Sequence, residues 1–251
     1  MCLINFQFHN DPRYKLVLAA NRDEFYGRPT APAHFWEDSP DLLAGRDLKE
    51  MGTWMGVTRN GRFAALTNFR DPDRETSGKR SRGEIVQNYL TGNESSEAFL
   101  QNLDPSAYNG FNILAGTPDA LFYLNNVEGN VQAVSPGVHG VSNHFLDTPW
   151  PKVQKGKAGL RAALEEDDVN IEKLFQLLQD AEAAEDVSLP DTGVGIELER
   201  KLSPLFIRMP DYGTRASTVL TIDRHNQVTF IERIYEEGIF QTENRFTFSA
   251  G

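Results

Sequence analysis

The first eight residues alternate without a break: Cys2, Ile4, Phe6 and Phe8 fall on one side, Leu3, Asn5 and Gln7 on the other. A period of two over this length predicts a strand that begins almost at the first residue. The turn signal His9-Asn10-Asp11-Pro12 follows, and residues 15–20 read as the hairpin partner. Residues 54–58 and 62–67 flank Asn60-Gly61, the best short hairpin signal in the chain. Two further pairs are predicted, 111–115 with 121–124 and 218–222 with 228–234, and residues 245–248 add a last strand.

Helical periodicity sits between these strands. Ser81-Arg82-Gly83-Glu84 has the form of a capping box ahead of Ile85, Val86, Tyr89 and Leu90. Pro151 suits the first turn of a helix carrying Val153, Leu160 and Leu164. Ile171, Leu174, Phe175 and Leu178 repeat at helical spacing behind an Asn170 cap. Residues 184–214 are broken by Pro190, Gly193, Gly195, Pro204, Pro210 and Gly213, and read as a binding loop or an unplaced short helix. Strands at both ends with helices between them predict one α+β domain, 1–251, built on antiparallel sheets.

Composition narrows the function classes. The chain has 251 residues and a formal net charge of −11, which argues against a protein devoted to nucleic-acid phosphate. No run approaches the apolar length of a membrane span, and no basic segment followed by a long apolar run predicts a secretory signal. Five His and one Cys exclude a zinc ribbon and an intramolecular disulfide, so no metal or cofactor is expected. A reduced, cytoplasmic setting is the expectation.

The single cysteine stands at position 2. Loss of Met1 would give Cys2 a free α-amine beside its thiol, with ordinary pKa values of about 8 and 8.5. The amine could then serve as base for its own side chain, the logic of an N-terminal nucleophile. A small buried hydrophobe is the other reading of the same residue.

Asn21-Arg22-Asp23-Glu24 follows the apolar run, and a hairpin centred near residue 12 sets residue 22 opposite residue 2. Arg22 would lower a thiol pKa, and Asp23 would hold the α-ammonium. Neighbours on a regular strand point to opposite faces, so both reach one site only if the strand ends or bulges there. Asn68, Asn112 and Asn143 sit at strand ends, as oxyanion donors or turn residues. Asn21, Trp54 and Asn68 stand as candidates for substrate contact. His139 and His144 are five apart, the wrong spacing for a two-His metal site, although a single His on a haem iron remains open.

Taken in order, the motifs resemble the NRDE-motif family, also called the transport and Golgi organisation 2 family. They run from Met1-Cys2 and Asn21-Arg22-Asp23-Glu24 through Gly52-Thr53-Trp54-Met55-Gly56 and Tyr108-Asn109-Gly110-Phe111-Asn112. They continue with His139-Gly140-Val141-Ser142-Asn143 and Tyr212-Gly213-Thr214-Arg215. The resemblance implies an αββα four-layer sandwich of the N-terminal-nucleophile hydrolase type. It further implies that Cys2, Arg22, Asp23, Asn143 and Arg215 act together on an amide or thioester. In the cysteine branch of that fold the Arg and Asp are several residues apart, whereas here they are adjacent. The same resemblance allows a non-catalytic alternative, binding or trafficking of haem or an acyl-CoA-like lipid. The partner is accordingly a small acyl or amide substrate or a haem-like ligand.

Overall fold

The computed structural model describes residues 2–166 and 168–251, the side chain of Arg74 excepted. β1 (Cys2–Phe8) and β2 (Tyr14–Phe25) form the expected hairpin, with Cys2 opposite Arg22 and Phe8 opposite Leu16. Asp11 pins the turn: its carboxylate accepts the Arg13 backbone N–H at 2.7 Å and pairs with the Arg13 guanidinium at 2.7 Å. β3 (Thr30–Trp36), β4 (Ser39–Asp47), β5 (Met55–Thr58) and β6 (Phe63–Asn68) follow, then helices α1 (Gly83–Thr91) and α2 (Ser96–Asn102). Next come β7 (Phe111–Gly116), β8 (Leu121–Asn125), β9 (Gln132–Ala133) and β10 (Gly137–Val141). Helices α3 (Pro151–Leu164), α4 (Ile171–Leu178) and α5 (Ile196–Leu202) precede β11 (Tyr212–Asp223), β12 (Gln227–Glu236) and β13 (Ile239–Ser249).

The strands make two antiparallel sheets. The first runs β10-β1-β2-β11-β12-β13, the second β3-β4-β5-β6-β7-β8-β9. Alternation along the strands builds the layers. Ile4, Phe6, Leu18 and Phe230 of the first sheet meet Met55, Val57, Phe63 and Leu114 of the second. The outer residues Val17, Ala19, Val219 and Ile231 pack under Leu160, Leu174, Phe175 and Leu178 of α3 and α4. On the other side Ala64, Ile113 and Ala115 pack under Ile85, Val86 and Tyr89 of α1 and Leu100 of α2. The result is the αββα sandwich, and it explains why β1 is buried at all seven positions despite its alternation. The residues meant to face outward lie beneath a helix.

Helix starts show where local pattern holds. Asn170 caps α4 by accepting the Lys173 N–H at 3.1 Å, and Pro151 opens α3, both as predicted. The capping box does not form. α1 starts at Gly83 without a side-chain cap, and Glu84 instead accepts the Tyr108 hydroxyl at 2.6 Å and pairs with Arg80 at 2.5 Å. The Gly52 backbone packs closely on Gly83 there, so that a Cβ on Gly52 would come within 2.6 Å of a backbone carbon.

Residues 184–214 contain α5 and a stretch, Leu205, Phe206 and Ile207, that is almost fully buried. β11 begins at Tyr212, six residues before the predicted strand, and carries Gly213 because a side chain there would collide with the Tyr26 hydroxyl. Among the described residues no helix is long and apolar enough to cross a membrane.

Candidate active site

Antiparallel register lines up one row of residues across the first sheet. Cys2 on β1 faces Arg22 on β2, Arg22 faces Ala216 on β11, and Ala216 faces Ile234 on β12. All four line a cleft of about 360 Å³ at the end of the sandwich, a volume that suits a small ligand. At about 4.8 Å per strand the row spans roughly 14 Å, with the thiol at one end. The other wall comes from Thr53, Trp54 and Asn68, from the β3 and β4 segments around Ala31 and Gly45, and from residues 79–83 leading into α1.

The adjacency of Arg22 and Asp23 is resolved by a bulge on the partner strand. Thr214 pairs with Asp23 and Ala216 with Arg22, so Arg215 is an extra residue in β11. Arg22 keeps the inner face with Ala20, whereas Asp23 takes the opposite face beside Asn21. There the Thr214 hydroxyl donates to Asp23 Oδ1 at 2.7 Å, and the Tyr212 hydroxyl donates to the Asp23 carbonyl at 3.1 Å. The two side chains thus flank the end of β1 from opposite sides, and both contribute to the cleft lining.

Cys2 is 8% exposed. Burial pushes its thiol above the ordinary value and the Asp23 charge adds to that rise, against a downward pull from Arg22 and the Asp23 backbone N–H. A thiol so placed is protonated at neutral pH and needs a base to become a nucleophile. Met1, whose removal would supply that base, lies outside the described residues.

The remaining sequence candidates divide. Trp54, Asn68 and Arg215 line the cleft. The Arg215 guanidinium is anchored at the rim by donating to the Phe25 and Arg28 carbonyls. Asn21 does not face the cleft: its amide donates to the Leu178 and Leu205 carbonyls, both at 2.8 Å, and accepts from the Ser217 hydroxyl at 2.6 Å. The pleat turns it to the helix-covered side, where it ties β2 to α4 and the 202–207 segment. Asn143 is also outside the lining. Its Nδ2 donates to the Asn68 carbonyl at 2.9 Å, so the amide that would meet an oxyanion is engaged in holding Asn68.

Charge in the cleft runs against charge on the chain. Seven Arg and Lys side chains line it against five Asp and Glu, in a protein of net charge −11. Such a surface favours an anionic ligand. Lys79, Arg80 and Arg82 contribute from one short run, and the cluster Lys79-Arg80-Ser81-Arg82 was visible in the sequence as a basic spot in an acidic chain. Among the described residues no three His, Cys, Asp or Glu side chains are grouped as a metal ion would need.

Glu232 is the other residue that alternation could have exposed, since it occupies the apolar face of β12 with Val228 and Phe230. It is 3% exposed, and one carboxylate oxygen accepts the Ala33 N–H at 2.6 Å. Burial pushes its pKa from the ordinary 4.5 up to about 7. The folded chain therefore binds this proton more tightly than the unfolded chain. The group's contribution to stability is complete below pH 4.5 and is lost as pH rises through about 7. A shift of this size corresponds to roughly 3 kcal/mol. Glu232→Gln keeps an acceptor for Ala33 and removes the titration. Relative to wild type, the variant is expected to gain about that much stability between pH 5 and pH 8, read from denaturant midpoints. Parallel pH profiles would refute the assignment.

Comparison with known proteins agrees with this architecture. Residues 1–237 match the family described as Transport and Golgi organisation 2. The Transport and Golgi organization protein 2 homolog of Bos taurus is 38% identical over 262 residues, covering 93% of this chain and 92% of that protein. The Homo sapiens homolog is 37% identical with the same coverage. Among solved structures, a mutant conjugated bile acid hydrolase from Clostridium perfringens superposes with a TM-score of 0.57 over 98% of this chain and 92% of its own. At 10% identity that likeness is one of fold, the N-terminal-nucleophile hydrolase type. On the match along nearly its whole length, the chain belongs to the Transport and Golgi organisation 2 family.

Proposed function

We propose that this protein is a cysteine hydrolase of the N-terminal-nucleophile kind, cleaving the thioester or amide bond of an anionic small acyl compound. The observation that carries the reading is the pairing of Cys2 with Arg22 at one end of a cleft with a basic rim. After removal of Met1, the Cys2 α-amine accepts the thiol proton and the sulfur bonds to the substrate carbonyl carbon. The tetrahedral oxyanion collapses, the bond to the leaving thiol or amine breaks, and the leaving group takes the proton from the ammonium. Water, deprotonated by the same amine, then attacks the acyl-cysteine thioester; the carboxylate departs and the sulfur regains its proton.

In this reading Asp23 orients the α-ammonium, and Arg22 and Arg215 receive the anionic part of the substrate. Asn68 offers its amide to the oxyanion, Asn143 keeps Asn68 in place, and Trp54 walls the acyl group. A reducing, cytoplasmic setting suits a lone catalytic thiol.

Carriage of an acyl-CoA-like anion without turnover is the second reading, favoured by the same basic rim. Haem held through histidine has no such support, because none of the five His residues lines the cleft among the described residues. Intact mass spectrometry of the purified protein during incubation with acyl thioesters and N-acyl amides tests the reading. The expected result is loss of one Met and a transient mass gain equal to the acyl group, mapped to the Cys2 peptide. Retained Met1, or no adduct from either substrate class, would overturn the hydrolase reading in favour of carriage.

A further inference from the structure

Four charged side chains are buried near Cys2, three of them outside the cleft lining. Lys152, in the first turn of α3, is 3% exposed and donates to the Leu202 carbonyl at 3.0 Å. Arg70, just beyond β6, pairs with Glu199 of α5 at 2.6 Å, with side chains 8% and 3% exposed. Asp23, at 2% exposure, is the fourth.

One short segment ties the group together. Residues 202–207 receive Lys152 at the Leu202 carbonyl and Asn21 at the Leu205 carbonyl, and the Ile207 N–H donates to the Thr214 hydroxyl that itself holds Asp23. Two cations and two carboxylates, all buried, lie within electrostatic reach of one another near Cys2. Burying an ammonium is unfavourable unless nearby charge compensates it, so a lysine in this place calls for an explanation beyond packing.

We propose that Lys152 is a positioning residue for the Cys2 site: its ammonium, fixed at the Leu202 carbonyl, counters the Asp23 charge at Cys2 and so favours the thiolate. The proposal rests on the reading of Cys2 as a nucleophile. The groups interacting with Lys152 from the surrounding elements are Asp23 of β2, Cys2 of β1, Arg70 and Glu199; Tyr212 of β11 interacts with Asp23 and Cys2. Burial and the neighbouring Arg70 bring Lys152 down to about 8, while Asp23, Cys2 and Glu199 hold its proton on. By reciprocity the ammonium favours the charged forms of Asp23 and of the Cys2 thiol.

Because the chain has one cysteine, alkylation by iodoacetamide reports on Cys2 alone. We would follow its rate from pH 5 to pH 10 in wild type, Lys152→Gln and Lys152→Arg, with circular dichroism to confirm folding. Lys152→Gln retains a donor for Leu202 without the charge. Its alkylation midpoint is expected to rise by about one pH unit, giving roughly tenfold slower labelling at pH 7, and Lys152→Arg is expected to restore the wild-type profile. Superimposable profiles for wild type and Lys152→Gln overturn the proposal while leaving the nucleophile reading intact. Absence of labelling in wild type at every pH overturns that reading itself. Should Lys152→Gln not fold, Lys152→Arg decides: a wild-type midpoint supports a role for charge, and a displaced one overturns it.

Discussion

Cys2→Ala is expected to abolish acyl-adduct formation and to lower turnover of any cleaved substrate by about 10⁴-fold or more, the scale on which loss of a nucleophile acts. The fold should tolerate the change. Cys2 opens β1, its carbonyl still accepts the Ser142 hydroxyl at 3.0 Å, and its backbone pairing with Arg22 does not involve sulfur. The expected loss of stability is within about 1.5 kcal/mol, that of one small truncation in a packed place. Cys2→Ser separates geometry from nucleophilicity. It preserves a small residue at position 2 and a proton for the α-amine to accept, but its oxygen is a poorer nucleophile. Its rate should fall between those of wild type and Cys2→Ala. Equal turnover by all three chains, at equal denaturant midpoints, would remove sulfur from the mechanism.

Glu199→Ala is expected to destabilise the protein by about 3–5 kcal/mol, among the larger single-residue effects available to it. Glu199 is 3% exposed and its two oxygens have separate duties. Oε2 accepts from Arg70, and Oε1 accepts the Thr192 N–H at 3.0 Å and the Thr192 hydroxyl at 2.5 Å. Truncation withdraws the carboxylate from a guanidinium that burial already disfavours, and strips the 190s loop of its anchor. In a chain of this size the loss corresponds to a fall in melting temperature of roughly 10 °C. Glu199→Gln, which keeps two polar partners and loses the charge, should fall between. A loss under about 1 kcal/mol for the alanine variant would show that Arg70 reaches water when released.

These predictions draw on parts of the molecule that differ in how far the sequence exposes them. The β1–β2 hairpin, with residue 2 opposite residue 22, follows from alternation and one Asp-Pro turn, because pairing across a tight turn is a local matter. The α3 and α4 starts follow from Pro151 and Asn170 for the same reason. β3 and β4 show no clean alternation in the sequence: they carry Pro32 and Pro40, β3 is an edge strand of the second sheet, and both mix buried with exposed positions.

The candidate site divides along the same line. Cys2, Arg22 and Asp23 were legible as chemistry in sequence order, and the family likeness named Asn143 and Arg215. Whether an asparagine faces the cleft or a helix was not legible. In a four-layer sandwich both faces of a strand are buried, so Asn21 and Asn68 look alike in the sequence and differ only in what covers them. Lys152, Arg70 and Glu199 come from three segments with no shared spacing, and only the packing of α3 and α5 beside the end of β1 brings their charges into one compartment. What the chain determined by itself were elements and registers set by neighbours within about twenty residues, along with the position of its one cysteine. The tertiary structure decided which polar side chains meet that cysteine, because burial and charge pairing depend on contacts between segments far apart in the chain.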